Sequence, residues 1–354
     1  MSTGWGVPGP PRAEVPGEAP ATLEPAAGPE TATGPGAGPP GATTFSLEGR
    51  AAPGLYWLGW ILTVAGLGTI AVAVLASTPG FATVMLLVAG LVAVGLGLVA
   101  AAGSQGIERR ARGTAGYQGA SPFLVFAATV PWTVLLSAAA VLPLAGVLGD
   151  EAGPPTTVVA LLATALVYVG LIHLLVVDTR ALGWAAMGVV RPSLSTVREL
   201  LVGGVLAVPI IFGAGLLALV LSQFLTLPEA VLPPAGDALG ALLNLAAGAV
   251  IAPIAEEVFF RGFATTAWQR ALGPSRAIVR GAIFFAVVHV LTIGGDTFGE
   301  GIERAAFAFI VRLPVSLALG WIFLRRGTLS SAIGLHATYN GIPLLLAPFA
   351  PLPA

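Results

Sequence analysis

The sequence predicts an all-α fold: a polytopic membrane helical bundle of about nine transmembrane helices, preceded by a disordered N-terminal tail. Three observations predict it. Of 354 residues, 56% are hydrophobic and only 9% are charged, against about 25% charged in soluble domains. The apolar runs repeatedly reach the roughly 20 residues that a helix needs to cross a bilayer. The short alternating segments of a membrane β-barrel are missing. Composition also excludes classes of function. A net charge of −1 supplies no basic field for nucleic acid. The absence of cysteine removes disulfides, thiol nucleophiles and Cys-based metal sites.

Residues 1–50 are rich in Pro, Gly, Ala, Thr and Glu and nearly devoid of large aliphatic side chains. Such a segment cannot bury enough apolar surface to offset its ordering entropy, which predicts disorder. It also lacks the basic start and apolar core of a signal peptide. From Leu55 onward, apolar runs alternate with short polar breaks. The length criterion gives spans at 55–76, 81–103, 122–147, 156–177, 200–223, 238–262, 277–293, 305–324 and 329–349.

The breaks carry a charge pattern. Those after the even-numbered spans hold Arg109, Arg110 and Arg112, then Arg180, Arg191 and Arg198, then Arg270 and Arg276, then Arg325 and Arg326. The others are acidic, with Asp150 and Glu151, Glu229 and Asp237, and Asp296, Glu300 and Glu303, the last group flanked by Arg304. Arginine on alternate loops is the positive-inside signal. It predicts a multi-pass protein of the cell membrane with its N-terminus in the cytosol and, after nine spans, its C-terminus outside.

Ionisable residues within spans cost roughly 2.5–3.5 kcal/mol each on insertion scales and mark function by default. Here they concentrate towards the C-terminal end. In the stretch Ala255-Glu256-Glu257-Val258-Phe259-Phe260-Arg261, adjacent helical residues are about 100° apart, so the two carboxylates face different ways. Glu257 and Arg261, spaced i,i+4, can pair on one face, which alone is compatible with a purely structural ion pair. Glu256 is left to face something else, below a stripe of small residues at Gly248 and Ala252. Pro253 removes a backbone donor and can bend the helix.

His289 ends the run Phe285-Ala286-Val287-Val288-His289; a single histidine on an apolar helix is by itself more often structural. His336 and Asn340 share a face one turn apart, and both need a polar partner away from lipid. Depth links the groups. Glu256 lies 17 residues before the turn at Gly273-Pro274 and His289 lies 16 after it, so an antiparallel pair brings them to similar height, roughly 25 Å from the turn. Since 238–272 exceeds one perpendicular crossing, part of it tilts, bends or protrudes, and the site is placed in the cytosolic half of the membrane. Arg312, also inside a span, reads either as a counter-charge to the carboxylates or as a snorkelling side chain. His173 reads as structural or interfacial.

A carboxylate and two imidazoles converging in the membrane suit hydrolysis. Glu256 can serve as general base on water, aided by His289, while His336 and Asn340 donate to a developing oxyanion. Alternatively Glu256, His289 and His336 hold a divalent metal such as zinc, which lowers the pKa of bound water. The residues leave this choice open. Other hydrolase solutions are absent from the sequence: there is no His-Glu-x-x-His, no Gly-x-Ser-x-Gly and no aspartate pair within spans. A Gly-x-Gly-x-x-Ala string at Gly95, Gly97 and Ala100 lies inside an apolar span, without the strand that a dinucleotide site requires.

The order Glu-Glu-x-x-x-Arg, Phe-x-x-x-His, His-x-x-x-Asn, carried here by Glu256, Glu257 and Arg261, by Phe285 and His289, and by His336 and Asn340, resembles the CPBP family of intramembrane proteases. That family includes CAAX prenyl proteases of the Rce1 type and the Abi self-immunity proteins. The stretch from Gly320 to Leu329 resembles it too, and the resemblance spans about residues 240–345. It implies an intramembrane endopeptidase acting on peptide or membrane-protein substrates. The implied catalytic set is Glu256, Glu257, His289, His336 and Asn340: Glu256 and His289 would activate water, His336 and Asn340 would stabilise the oxyanion, and Arg261, Phe285 and Arg312 would support them. Members are described both as metalloproteases and as metal-free glutamate proteases. The chain then divides into a tail at 1–50, N-terminal transmembrane helices at 51–235 and a CAAX-protease-like core at 236–354. The competing expectations are a non-catalytic scaffold or bacteriocin self-immunity protein, and a proton-coupled transporter using the two glutamates. Against the transporter stands the lack of visible repeat symmetry.

Overall fold

The computed structural model describes Leu47, residues 49–76 and residues 80–346, except the side chains of Asp150 and Glu151. The predicted disordered tail lies almost wholly outside the described residues, as does the end of the ninth predicted span. Among the described residues every regular element is helical. The nine principal helices are α1 (Pro53–Leu75), α2 (Phe81–Ala111), α3 (Pro122–Leu148), α4 (Gly153–Val177), α5 (Leu194–Leu221), α6 (Ala238–Leu272), α7 (Pro274–Val288), α8 (Phe298–Arg326) and α9 (Leu329–Leu346). Seven of them, α1 to α6 and α8, are long and apolar enough to cross a membrane. The chain is a multi-pass membrane protein.

Local chemistry sets the ends. Proline stands in the first turn of α1, α3 and α7, where the missing N–H costs nothing. α5 starts six residues before the predicted span because Ser193 and Thr196 form a capping box. α7 departs most from expectation. It occupies 274–288 rather than 277–293 and rises only about 22 Å, short of the roughly 30 Å hydrocarbon layer. It stops at His289, its C-cap, and the chain turns through 289–297, which includes Gly294 and Gly295. The seventh pass is therefore helical over only part of its expected length. The turn from α6 to α7 runs through Gly273, at φ 84 and ψ 167, a conformation open to glycine.

α6 is 35 residues long, about 52 Å if straight. It is not uniformly α-helical: residues 247–251 and 258–265 are π-helical. Such widened turns are frequent at functional sites. Its Phe259, Phe260 and Phe263 are at most 1% exposed. They meet Phe126 of α3, Tyr168 of α4 and Phe284 and Phe285 of α7 in edge-on and tilted ring contacts. In lipid, burying an apolar side chain gains little over leaving it in hydrocarbon, so close packing has to supply the cohesion.

Glycines allow that packing where α9 meets α5. A Cβ on Gly203 would sit 2.0 Å from the Ser331 carbonyl oxygen, and one on Gly334 would sit 2.1 Å from that of Leu200. The other side of α9 packs through Leu335 against Leu319 and Ile322 of α8. α9 is thus wedged between α5 and α8, with its polar face turned to α6.

Candidate active site

Glu256 and Glu257 close the α-helical stretch between the two π segments of α6. Their environments differ sharply. Glu257 is fully buried, and Arg261 is 1% exposed. Arg261 donates to Glu257 Oε1 at 2.9 Å, and Nδ1 of His336 donates to the same oxygen at 2.8 Å. The second guanidinium nitrogen of Arg261 reaches the Ser316 carbonyl of α8 at 3.4 Å, and the guanidinium carbon lies 4.2 Å from the Phe285 ring centre. Phe285 also contacts the rings of His289, at 4.2 Å, and His336, at 5.6 Å. One aromatic ring thus packs against the Arg261 guanidinium and both imidazoles.

Glu256 keeps 21% of its side chain exposed, and His289 keeps 24%. These two form the open side of the cluster, while Glu257 and His336 form its floor. Glu256 Oε2 lies 3.5 Å from His289 Nε2 and 3.7 Å from His336 Nε2. The tautomers follow from the partners. Nδ1 of His289 lies 2.8 Å from the Phe285 carbonyl oxygen, which can only accept, so Nδ1 carries the proton. Nε2 is then the ring nitrogen that faces Glu256. Glu257 does for His336 Nδ1 what the carbonyl does for His289.

Asn340 is held by the irregularity of α6. In the first π segment the Ala252 N–H bonds to the Ala247 carbonyl, five residues back. The Gly248 carbonyl has therefore lost its usual donor at 252, and its next candidate, residue 253, is a proline without an N–H. Asn340 Nδ2 fills the vacancy, donating to the Gly248 oxygen at 2.9 Å. One amide hydrogen of Asn340 is committed to this bond and the second is not.

The structure thus brings Glu256, His289 and His336 together, backs them with Glu257, Arg261 and Phe285, and ties Asn340 one turn along. Arg312 lies within electrostatic range of Glu256 and Tyr339, and its guanidinium donates to the Ala308 carbonyl at 3.1 Å. His173 stands apart: it is half-exposed, 3.4 Å from Asp178, and stacked with Trp184. Tyr168 of α4, within electrostatic range of Glu256 and packed on Phe259, is absent from the sequence-based set. A lone tyrosine within the fourth apolar span was its only signal.

A catalytic metal would need three protein ligands around one point. The carboxylate of Glu256 approaches each imidazole in turn, but among the described residues no group of three or more His, Asp or Glu side chains is arranged to hold a metal ion. The residues as placed do not fit such a centre.

Residues 238–342 match the family model described as Type II CAAX prenyl endopeptidase Rce1-like. No curated protein and no solved structure matches the chain. The matched stretch begins with the first residue of α6 and ends within α9, so it contains every residue of the cluster except Tyr168. Over residues 238–342 the chain is thus similar to the Rce1-like type II CAAX prenyl endopeptidases, a family of proteases.

Proposed function

We propose that the protein is an intramembrane endopeptidase that hydrolyses membrane-associated peptide substrates with water activated by Glu256 and His289. The observation that carries this reading is the facing of Glu256 Oε2 and His289 Nε2 across 3.5 Å on the open side of an otherwise buried polar cluster. A water seated between them gives its proton to the Glu256 carboxylate as its oxygen attacks the scissile carbonyl. The oxyanion that forms is met by His336 Nε2, when that nitrogen is protonated, and by the second amide hydrogen of Asn340. Glu256 then hands the proton to the leaving amine. Glu257 and Arg261 do not touch the reacting atoms; they set the ring plane and tautomer of His336.

The arginine-bearing loops support a topology with the N-terminus in the cytosol and the C-terminus outside the cell membrane, in which the chain beyond His289 completes the seventh crossing. The decisive experiment is Glu256→Gln with comparative membrane proteomics. Intact membrane peptides accumulate in the variant while the protein inserts and unfolds as the wild type does. A folded Glu256→Gln protein that still cleaves the same peptides would refute the assignment.

A further inference from the structure

α7 carries a second feature that faces away from the cluster. Arg276 and Arg280 are both exposed and stand one turn apart. Ile283 and Val287 continue the same face, and Val279 flanks it. Together with Phe123 of α3 these residues line an open groove of about 680 Å³ whose surface is almost wholly apolar, the two arginines contributing their stems and carrying their charges at its edge. The groove therefore changes character along its axis. Two cations lie near the Gly273-Pro274 turn, where the helix begins, and apolar side chains extend the next two turns, about 16 Å in all from Arg276 to Val287.

Val279, Ile283 and Val287 are 38 to 51% exposed. Among the described residues, neither guanidinium has a carboxylate within 4.0 Å. Arg280 is instead laid over the Phe123 and Trp268 rings, at 5.0 and 5.2 Å, which holds its charge at the groove's rim rather than letting it extend into water.

A pair of uncompensated cations at a helix end, followed by an apolar channel running into the bilayer, matches one chemistry in charge and in length. We propose that this groove binds an anionic phospholipid, with its phosphate at Arg276 and Arg280 and an acyl chain along Val279, Ile283 and Val287. A zwitterionic lipid offers the same phosphate but brings its own quaternary ammonium beside the two guanidinium groups, so the site favours a headgroup of net negative charge. The inference is independent of the catalytic reading, because none of its residues belongs to that cluster.

The test uses the full chain, purified and exchanged into phosphatidylcholine nanodiscs doped with phosphatidylglycerol. Lipid that stays bound on release from the disc is counted by native mass spectrometry. The expected result is preferential retention of phosphatidylglycerol by the wild type. In Arg276→Gln/Arg280→Gln that preference falls on the order of 30-fold, the effect of removing two interfacial cations. Arg276→Lys/Arg280→Lys keeps most of it, and Ile283→Trp, which fills the channel, lowers retention of both lipids. Millimolar inorganic phosphate leaves the bound lipid in place. Equal retention of both lipids by the wild type overturns the proposal, as does undiminished preference in the glutamine variant or displacement by phosphate alone. Thermal unfolding of each variant in the same discs separates a lost site from a lost fold.

Discussion

The adjacent glutamates should fail in different ways when neutralised, and this can be worked from their surroundings. Glu257→Gln keeps the shape of the side chain and removes its charge. It leaves Arg261, 1% exposed and enclosed by Phe285 and the Ser316 carbonyl, without its direct counter-ion. Breaking one half of a buried ion pair costs about 3–5 kcal/mol. Glu256 remains close enough to moderate the uncompensated charge, so the lower end, about 3 kcal/mol, is expected. Cleavage also falls, because His336 Nδ1 loses the anionic acceptor that fixes its ring.

Glu256→Gln, on a side chain that is one-fifth exposed, costs no more than about 1 kcal/mol of stability, as for other substitutions outside the packed core, yet removes a general base worth roughly 10²–10⁴ in rate. The assay is equilibrium unfolding in mixed micelles, run beside cleavage of a peptide found in the proteomic comparison. The double variant Glu257→Gln/Arg261→Met supplies the control. With both charges gone, stability recovers most of the loss while activity does not. Equal unfolding curves for wild type and Glu257→Gln would refute the buried-pair argument. Recovery of activity in the double variant would show that Glu257 acts only to neutralise Arg261.

Three further outcomes are expected. Pro253→Ala restores an N–H that can bond to the carbonyl of residue 248 or 249, so it competes with Asn340 for Gly248; cleavage drops by up to about tenfold, the worth of one hydrogen bond, and an unchanged rate would detach the π segment from function. Gly334→Ala forces a Cβ to within 2.1 Å of the Leu200 carbonyl oxygen, so α9 must shift at a cost of about 1–3 kcal/mol; unfolding at wild-type denaturant concentration would show that the α5–α9 contact is looser than described. Prolonged dialysis against a strong chelator leaves cleavage intact, since the side chains do not close into a three-ligand centre; loss of activity that zinc restores would reverse that conclusion.

How much of this was legible beforehand depended on what lipid does to a sequence pattern. In water a helix advertises its inward face by apolar periodicity. In α1 to α5 nearly every side chain is apolar on all faces, so periodicity locates the helices but not what each one packs against. Polar residues escape this degeneracy because lipid penalises them. For that reason Glu256, His289, His336 and Asn340, which the structure brings close together, could be picked out from spacing and depth. Glycines escape it only in retrospect: Gly203 and Gly334 look like any others in a glycine-rich chain until a neighbouring backbone is seen against them.

The π segments were hidden for another reason. A single widened turn shifts the facing of everything after it without altering composition or hydropathy. Pro253 was visible and suggested a bend, but its consequence is a missing donor five residues beyond Gly248, which becomes meaningful only when Asn340 is found supplying the bond. The short α7 was missed because its apolar run continues past His289 to Ile293 while the helix stops. That early stop is what leaves His289 at a helix end, half open, with its Nδ1 turned back onto its own helix and its Nε2 free to face Glu256. A full-length seventh helix would have packed that imidazole against lipid or a neighbouring helix. The early helix end is therefore the structural condition for a water-activating pair at this depth.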